Sequence, residues 1–277
     1  MVSNLILRNK VAVITGASGG IGAAIVERFL KEGAIIVVAD IERNGLNKNI
    51  GCTFFKVDIS KPVSVKRFLR SVILKYGRID ILVNVAAIQT PIGSLLEVSV
   101  EDWIKCINTN LIGTMLCCKL VLPIMTAKRK GKIINFSGGG ATFARPYFSA
   151  YASSKAAIVR FTETIAMECS RNNIDINAVS PGTINTRMMN DIIQAGKKKG
   201  SNDYEIALKV KSRGGDSVDL TTDLCVFLAS PKSDGISGKL FSAKWDDWKA
   251  FSKTKYLKNS SIYTLRRIDG VKFIERK

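Results

Sequence analysis

The sequence contains no histidine. That excludes every mechanism built on imidazole: histidine triads, histidine-ligated metals and histidine proton shuttles. Acid–base work near neutral pH then falls to tyrosine, lysine, carboxylates or thiols. None of the six cysteines (Cys52, Cys106, Cys117, Cys118, Cys169 and Cys225) belongs to a Cys-x-x-Cys pair. Scattered thiols among apolar neighbours are expected to be reduced core residues of a cytoplasmic protein, without metal. There is no Pro/Ser-rich linker and no internal repeat, so a single domain is expected. No apolar run approaches the ~18 residues a membrane helix needs. The start, Met1 to Lys10, reads as too short and polar for a secretory signal.

Acidic residues are also scarce. Against 42 lysines and arginines stand 23 carboxylates, a net charge of +19. An anionic partner such as nucleic acid is one reading. A lysine-rich solvated surface is the favoured one, because the excess at Lys128–Lys130, Lys197–Lys199 and beyond Lys244 lacks the aromatic interleaving of single-strand binders.

What is present is hydrophobic alternation. Of the 277 residues, 46% are hydrophobic, enough for one large α/β core. Buried strands are predicted at Val11–Thr15, Ala34–Ala39, Cys52–Val57, Ile79–Asn84, Lys132–Phe136 and Ile174–Val179, with a last short one at Lys239–Ala243. Between them helices are predicted from Ile21 to Gly33, Pro62 to Tyr76 (N-cap Ser60), Glu101 to Ala127 (continuous or interrupted), Ser149 to Arg171 and Ser217 to Ala229. This rhythm predicts a Rossmann-like doubly wound parallel sheet, three layers α/β/α, with ligands at the carboxyl ends of the strands. Residues 1–243 would form the dinucleotide-binding domain. Within it the polar stretch 185–215 reads as a lid or a surface excursion. Residues 244–277, carrying Trp245, Trp248, Phe251, Tyr256, Tyr263 and Phe273, are expected to pack on the body or on a neighbouring subunit.

Two motifs carry chemistry. Gly16, Gly20 and Gly22 follow a strand and open a helix, with Ser18 and Ile21 in the same turn. Small residues admit a pyrophosphate to the backbone, and the helix N-terminus supplies free N–H groups. Asp40 ends the second strand, with Ile41 beside it. A carboxylate there accepts hydrogen bonds from ribose hydroxyls and repels a 2′-phosphate, which favours NAD over NADP, although Arg43 lies near. Far downstream, Tyr151 and Lys155 stand one helical turn apart on one face. A free phenol ionises near pH 10, too high for easy work at neutral pH. The ammonium is expected to favour phenolate. Tyr151 would then be the general acid for carbonyl reduction and the general base for alcohol oxidation.

These motifs, together with Asp58-Ile59, Asn84-Val-Ala-Ala87, Asn110 and Ser180-Pro-Gly182, resemble the short-chain dehydrogenase/reductase superfamily, classical type, over approximately Lys10 to Ala243. The resemblance implies that Asp58 and Ile59 flank adenine and that Asn84 and Ala86 line the cofactor crevice. Pro181, Gly182, Ile184 and Thr186 would hold the nicotinamide end. It implies that Lys155 also bonds the nicotinamide ribose and that Asn110 supports a water chain to it. Homodimers or homotetramers are implied, and substrates that are small alcohols or carbonyls, including anionic or sugar-linked ones. Val85 and Ala87 depart from the family's Asn-Asn-Ala-Gly. The family's carbonyl-polarising serine falls at position 138, which is Gly138; Ser137 stands one residue earlier and is expected to compensate in part. Leu240 to Trp245 replaces the usual Val-Asp-Gly-Gly ending. An NAD-dependent oxidoreductase is the leading reading, and a cofactor-binding protein with weak catalysis is the alternative.

Overall fold

A computed structural model describes residues 5–46, 51–197, 201–253, 257 and 260–267. Its seven strands are β1 (Val11–Thr15), β2 (Ile35–Asp40), β3 (Cys52–Lys56), β4 (Ile81–Asn84), β5 (Gly131–Phe136), β6 (Ile174–Ser180) and β7 (Leu240–Ser242). They form one sheet in the order β3-β2-β1-β4-β5-β6-β7, every neighbour parallel. The chain reverses its direction of growth between β1 and β4, the crevice where a doubly wound sheet opens to ligands. The helices are α1 (Gly20–Lys31), α2 (Pro62–Tyr76), α3 (Val100–Ile107), α4 (Gly113–Lys128), α5 (Ser149–Glu168), α6 (Arg187–Ala195), α7 (Ser201–Arg213) and α8 (Val218–Ala229).

Strand alternation sends successive side chains to opposite faces. Ala12 and Ile14 of β1 join a core with Ile25, Val26 and Phe29 of α1 and with Leu224 to Ala229 of α8. Val11 and Val13 join the opposite core with Val65, Phe68 and Leu69 of α2 and with Cys117, Cys118 and Val121 of α4. Each fully buried aliphatic or Phe side chain contributes roughly 1.5–3 kcal/mol, so these two layers fix the sheet on which the site is built. A third, smaller cluster lies at one end, where Cys106 of α3, Phe148 and Tyr151, Ile192 of α6 and Ala207 of α7 meet.

Several local expectations are corrected. The N-cap of α2 is Lys61, without a side-chain cap, because Ser60 is drawn back to Asp58: its N–H and hydroxyl both donate to Oδ1, at 2.9 and 2.7 Å. Of the two readings of the helix after Glu101, the interrupted one holds: a π-helical segment, Asn108–Ile112, divides it. From Val100 to Lys128 the helical run is long and apolar enough to cross a membrane by length and composition, although no single apolar run is. Its Cys106, Asn110, Cys117, Cys118, Val121 and Met125 are nonetheless buried inside the protein. The stretch 185–215 holds two helices, α6 and α7, hidden by their polar composition. Lys198 and Lys199 lie outside the described residues.

Beyond β7, Trp248, Phe251 and Leu257 enter the same core as α1 and α8. Phe241, Phe251 and Tyr263 form a ring cluster with centroids 5.1–5.5 Å apart. Lys239 Nζ donates to the Ile262 carbonyl at 3.2 Å, and Arg266 pairs with Glu163 at 3.2 Å. Trp245 is exposed. Tyr256 and Phe273 fall outside the described residues.

Candidate active site

The glycine turn begins where β1 ends. Gly16 has φ +66°, and a Cβ there would stand 2.4 Å from Ala86 Cα. A Cβ on Gly22 would stand 2.2 Å from the Gly16 carbonyl oxygen. Both positions therefore demand glycine on steric grounds. Around Gly19 nothing lies within 4 Å of an added Cβ, so the turn is open on that side. Ser18 is buried and its Oγ has no hydrogen-bond partner among the described residues. An unpaired buried hydroxyl costs about 1–3 kcal/mol and fits a place reserved for a ligand. Ile21 lies in the first turn of α1, packed at the edge of the core.

Asp40 is turned toward this loop. Its Oδ2 accepts from the Ser18 N–H at 2.9 Å and its Oδ1 from the Ile41 N–H at 2.7 Å, while the Ile41 side chain is exposed. The Arg43 guanidinium lies over the Phe54 ring, 5.7 Å from its centroid. Asp58 and the buried Ile59 follow β3, and a Cβ on Gly113 would meet Ile59 Cδ1 at 2.7 Å. Asn84, at the end of β4, donates to Asn135 Oδ1 at 2.9 Å, and its own Oδ1 is buried without a partner among the described residues. The loop after β6 reaches the glycine turn: Thr186 Cγ2 lies 3.0 Å from a Cβ built on Gly20.

That loop is held by a residue that no motif singles out. Asp216 accepts from Thr183 N–H at 2.8 Å through Oδ2, and its own N–H donates to the Thr183 carbonyl at 2.8 Å. A Cβ on Gly182 (φ +85°) would press on Asp216 Oδ2 at 2.8 Å. Lys244, from the segment that departs from the family ending, pairs with Asp216 Oδ1 at 2.7 Å. Burial pushes the Asp216 carboxyl upward, but the hydrogen bonds from Lys244 and Thr183 outweigh it and hold the group below its ordinary value. Pro181 accepts from Thr221 Oγ1 at 2.9 Å, and Ile184 is buried.

Tyr151 lies in the first turn of α5 and Lys155 one turn on, both buried. Lys155 Nζ donates to the Phe136 carbonyl at 2.8 Å. It stands 5.5 Å from the Tyr151 ring centroid. Burial lowers the Lys155 ammonium to about 8. Burial raises the Tyr151 phenol to about 12, opposed by the Arg145 charge. Desolvation therefore sets the direction of the phenol's shift, against the lowering expected from the ammonium; the opposing charge is that of Arg145, which stands 5.5 Å from the ring centroid, as Lys155 does. No described residue hydrogen-bonds the Tyr151 hydroxyl.

Asn110 sits fully buried in the π segment. The widened turn lets its side chain bridge to the strand-end loop: Oδ1 accepts from Ile88 N–H at 2.9 Å and Nδ2 donates to the Ile88 carbonyl at 2.8 Å. Nδ2 also lies 3.0 Å from Ser154 Oγ, which ties the Asn84–Ile88 loop to α5.

Ser137 and Gly138 take opposite faces. The Ser137 hydroxyl donates to the Lys155 carbonyl at 3.2 Å, so its hydrogen bond supports the helix that carries Lys155. A Cβ on Gly138 would instead stand 2.7 Å from the Tyr151 hydroxyl oxygen. The direction a carbonyl-polarising side chain would need belongs to residue 138, which has none.

A glycine turn at the crevice of a doubly wound parallel sheet, with a Tyr–Lys pair across from it, defines a dinucleotide-dependent oxidoreductase architecture. The family model for short chain dehydrogenases matches residues 10–197, and the chain belongs to that family. It is 34% identical over 242 residues to a 3-oxoacyl-[acyl-carrier-protein] reductase of Thermotoga maritima, covering 84% of this chain and 96% of the relative. Among solved structures it is similar to an aldohexose dehydrogenase of Thermoplasma acidophilum, with TM-score 0.75, 30% identity, and 85% and 92% of the two chains covered. It is also similar to an NAD+-bound xylitol dehydrogenase, with TM-score 0.78, 25% identity, and 85% and 98% covered.

Proposed function

We propose that the chain is an NAD-dependent oxidoreductase that interconverts an alcohol and a carbonyl. The observation that carries this reading is the Tyr151 hydroxyl, which no described residue bonds, one helical turn before a buried Lys155. The Ser18 hydroxyl, without a partner among the described residues, and the close backbone approaches at Gly16 and Gly22 fit a dinucleotide. Gly16, Ser18, Gly20, Ile21 and Gly22 would hold its pyrophosphate, and Asp40 and Ile41 its adenosine ribose. Asp58 and Ile59 would flank adenine. Asn84, Ala86, Pro181, Gly182, Ile184 and Thr186, with Tyr151 and Lys155, would surround the nicotinamide end. The bound nicotinamide would supply or accept the hydride.

The protein's own part is a proton. Tyr151 delivers it from its hydroxyl to the alkoxide oxygen in reduction and removes it in oxidation. Lys155 lies close enough to stabilise the phenolate that remains. Asn110 fixes the loop and helix that face each other across the crevice, and Ser137 holds the main chain at Lys155. Asp40 would favour NAD over NADP, its carboxylate accepting from the ribose hydroxyls and repelling a 2′-phosphate. Burial of all the cysteines but Cys52, and no disulfide among the six, suits a cytoplasmic enzyme. Exposed Ile104 on α3 and Met167 on α5 suit helix faces that assemble a homodimer or homotetramer.

NADH oxidation against a panel of diones, oxoacyl thioesters and aldoses tests the reading, and wild-type turnover that Y151F abolishes supports it. A second reading rests on Gly138: without a hydroxyl facing Tyr151, the protein binds NAD but turns substrate over weakly. NADH binding without turnover on any panel member would select it.

A further inference from the structure

Arg145 belongs to none of the family's motifs, yet it stands beside the Tyr151 ring. It leaves the loop between β5 and α5, and its guanidinium carbon lies 3.8 Å from the Phe148 ring centroid and 5.5 Å from that of Tyr151. Its Nε and Nη2 both donate to Asp203 Oδ1 of α7, at 3.0 and 2.7 Å. The two side chains are only 12% and 26% exposed, so this is a partly buried pair whose attraction water screens weakly. Nη1 bonds no acceptor among the described residues and lies 3.8 Å from the Cβ position of Gly139, on the bare glycine wall. At Gly138 any side chain would stand 2.7 Å from the phenol oxygen, so the phenol occupies the room that a hydroxyl-bearing residue would need.

We propose that Arg145 is a positioning residue for Tyr151: its guanidinium charge, fixed by Asp203, favours the ionised phenol beside a wall that offers no hydroxyl. Among the other described groups packed around the phenol, Lys155 on α5 also carries positive charge: it stands at the same 5.5 Å from the ring centroid while bonding the Phe136 carbonyl, and Arg145 adds to it from the loop between β5 and α5. From α3 comes Cys106, whose thiol burial pushes to about 11, so it is uncharged at working pH. Met188, Met189, Ile192 and Ile193 of α6 and Ala207 of α7, which pack in the same cluster as Tyr204, are apolar and carry no charge. The N-terminus of α5 acts in the same direction as Arg145. Asp203 fixes the guanidinium through its two hydrogen bonds.

This inference rests on the proposed role of Tyr151, and its test does not require turnover. Tyr151 is replaced in the full chain by genetically encoded difluorotyrosine, which ionises below ordinary tyrosine, and the phenolate absorbance is titrated. In the R145M background the midpoint is expected to rise by about one pH unit, and in R145K by less than half as much. Near-ultraviolet circular dichroism checks that each variant is folded. An unchanged midpoint in folded R145M, or equal shifts in R145M and R145K, would overturn the proposal. If the midpoint moves as expected while the wild type turns nothing over, the electrostatic inference stands and the oxidoreductase reading falls. If turnover is normal and the midpoint does not move, the oxidoreductase reading stands and the role given to Arg145 falls.

Discussion

The two ends of the crevice are built by opposite means. At the cofactor end the geometry is made by backbone: Gly22 brings main chain against Gly16, and Gly16 brings main chain against Ala86 of the loop after β4. At the substrate end it is made by side chains from distant parts of the chain. Arg145 reaches Asp203 across 58 positions, and Gln89 reaches the Met188 carbonyl across 99. Backbone crevices tolerate few residue types. Side-chain walls can be rebuilt pair by pair, which is how one fold serves many substrates.

The sharpest way to break this contrast is at Gly22. A methyl there would meet the Gly16 carbonyl at 2.2 Å, so G22A is expected to weaken NADH binding by about 10²-fold in a fluorescence titration. D203A, at the other end, should leave that affinity within about two-fold. Equal losses would erase the distinction between the two ends.

Lys155 gives the next largest effect, and its sign depends on pH. Its folded value is lowered from 10.5 to about 8 by burial. Between those values the unfolded chain holds a proton that the native state has released, so native stability rises with pH across that window. Below pH 8 the burial cost is present in full. K155M is therefore expected to be more stable than wild type at pH 7 by up to about 3 kcal/mol. The unpaired Phe136 carbonyl offsets part of this, and the gain shrinks as pH rises from 8 to 10.5. Urea unfolding at pH 7 and pH 10 reads both. A pH-independent difference would mean that Lys155 is not desolvated.

The smallest effect is at Asp40. Its carboxylate binds the Ser18 and Ile41 N–H groups, so D40S loosens the turn while removing the charge. The NADPH-to-NADH ratio of kcat/KM is expected to rise about tenfold, and an unchanged ratio would assign cofactor choice elsewhere.

The same contrast decides what could be read from sequence. Strand alternation and the β1 glycine turn are local, so the sheet, its layers and the position of the cofactor loop are legible from residue spacing. Asn110 was legible by resemblance and an interruption of its helix was allowed for, but not that the interruption is a π segment, because an extra residue in a helical turn leaves no mark on apolar spacing. Helices α6 and α7 were hidden in a polar stretch whose buried residues, Ile192, Ala207 and Val210, are few. Arg145 and the Asp216–Lys244 pair were illegible because their meaning comes from partners remote in the chain. Ser137 was expected to compensate in part for the serine missing at position 138. Its hydrogen bond instead goes to the Lys155 carbonyl, as strand alternation dictates, and the bare Gly138 faces the phenol.

The central claim is that the Tyr151 hydroxyl carries the proton while hydride moves to or from a bound nicotinamide. Single-turnover oxidation of prebound NADH, compared between wild type and Y151F on one accepted carbonyl, tests it most directly. The account predicts unchanged NADH affinity and a rate lower by about 10²–10⁴-fold. A Y151F rate within a few-fold of wild type would contradict it.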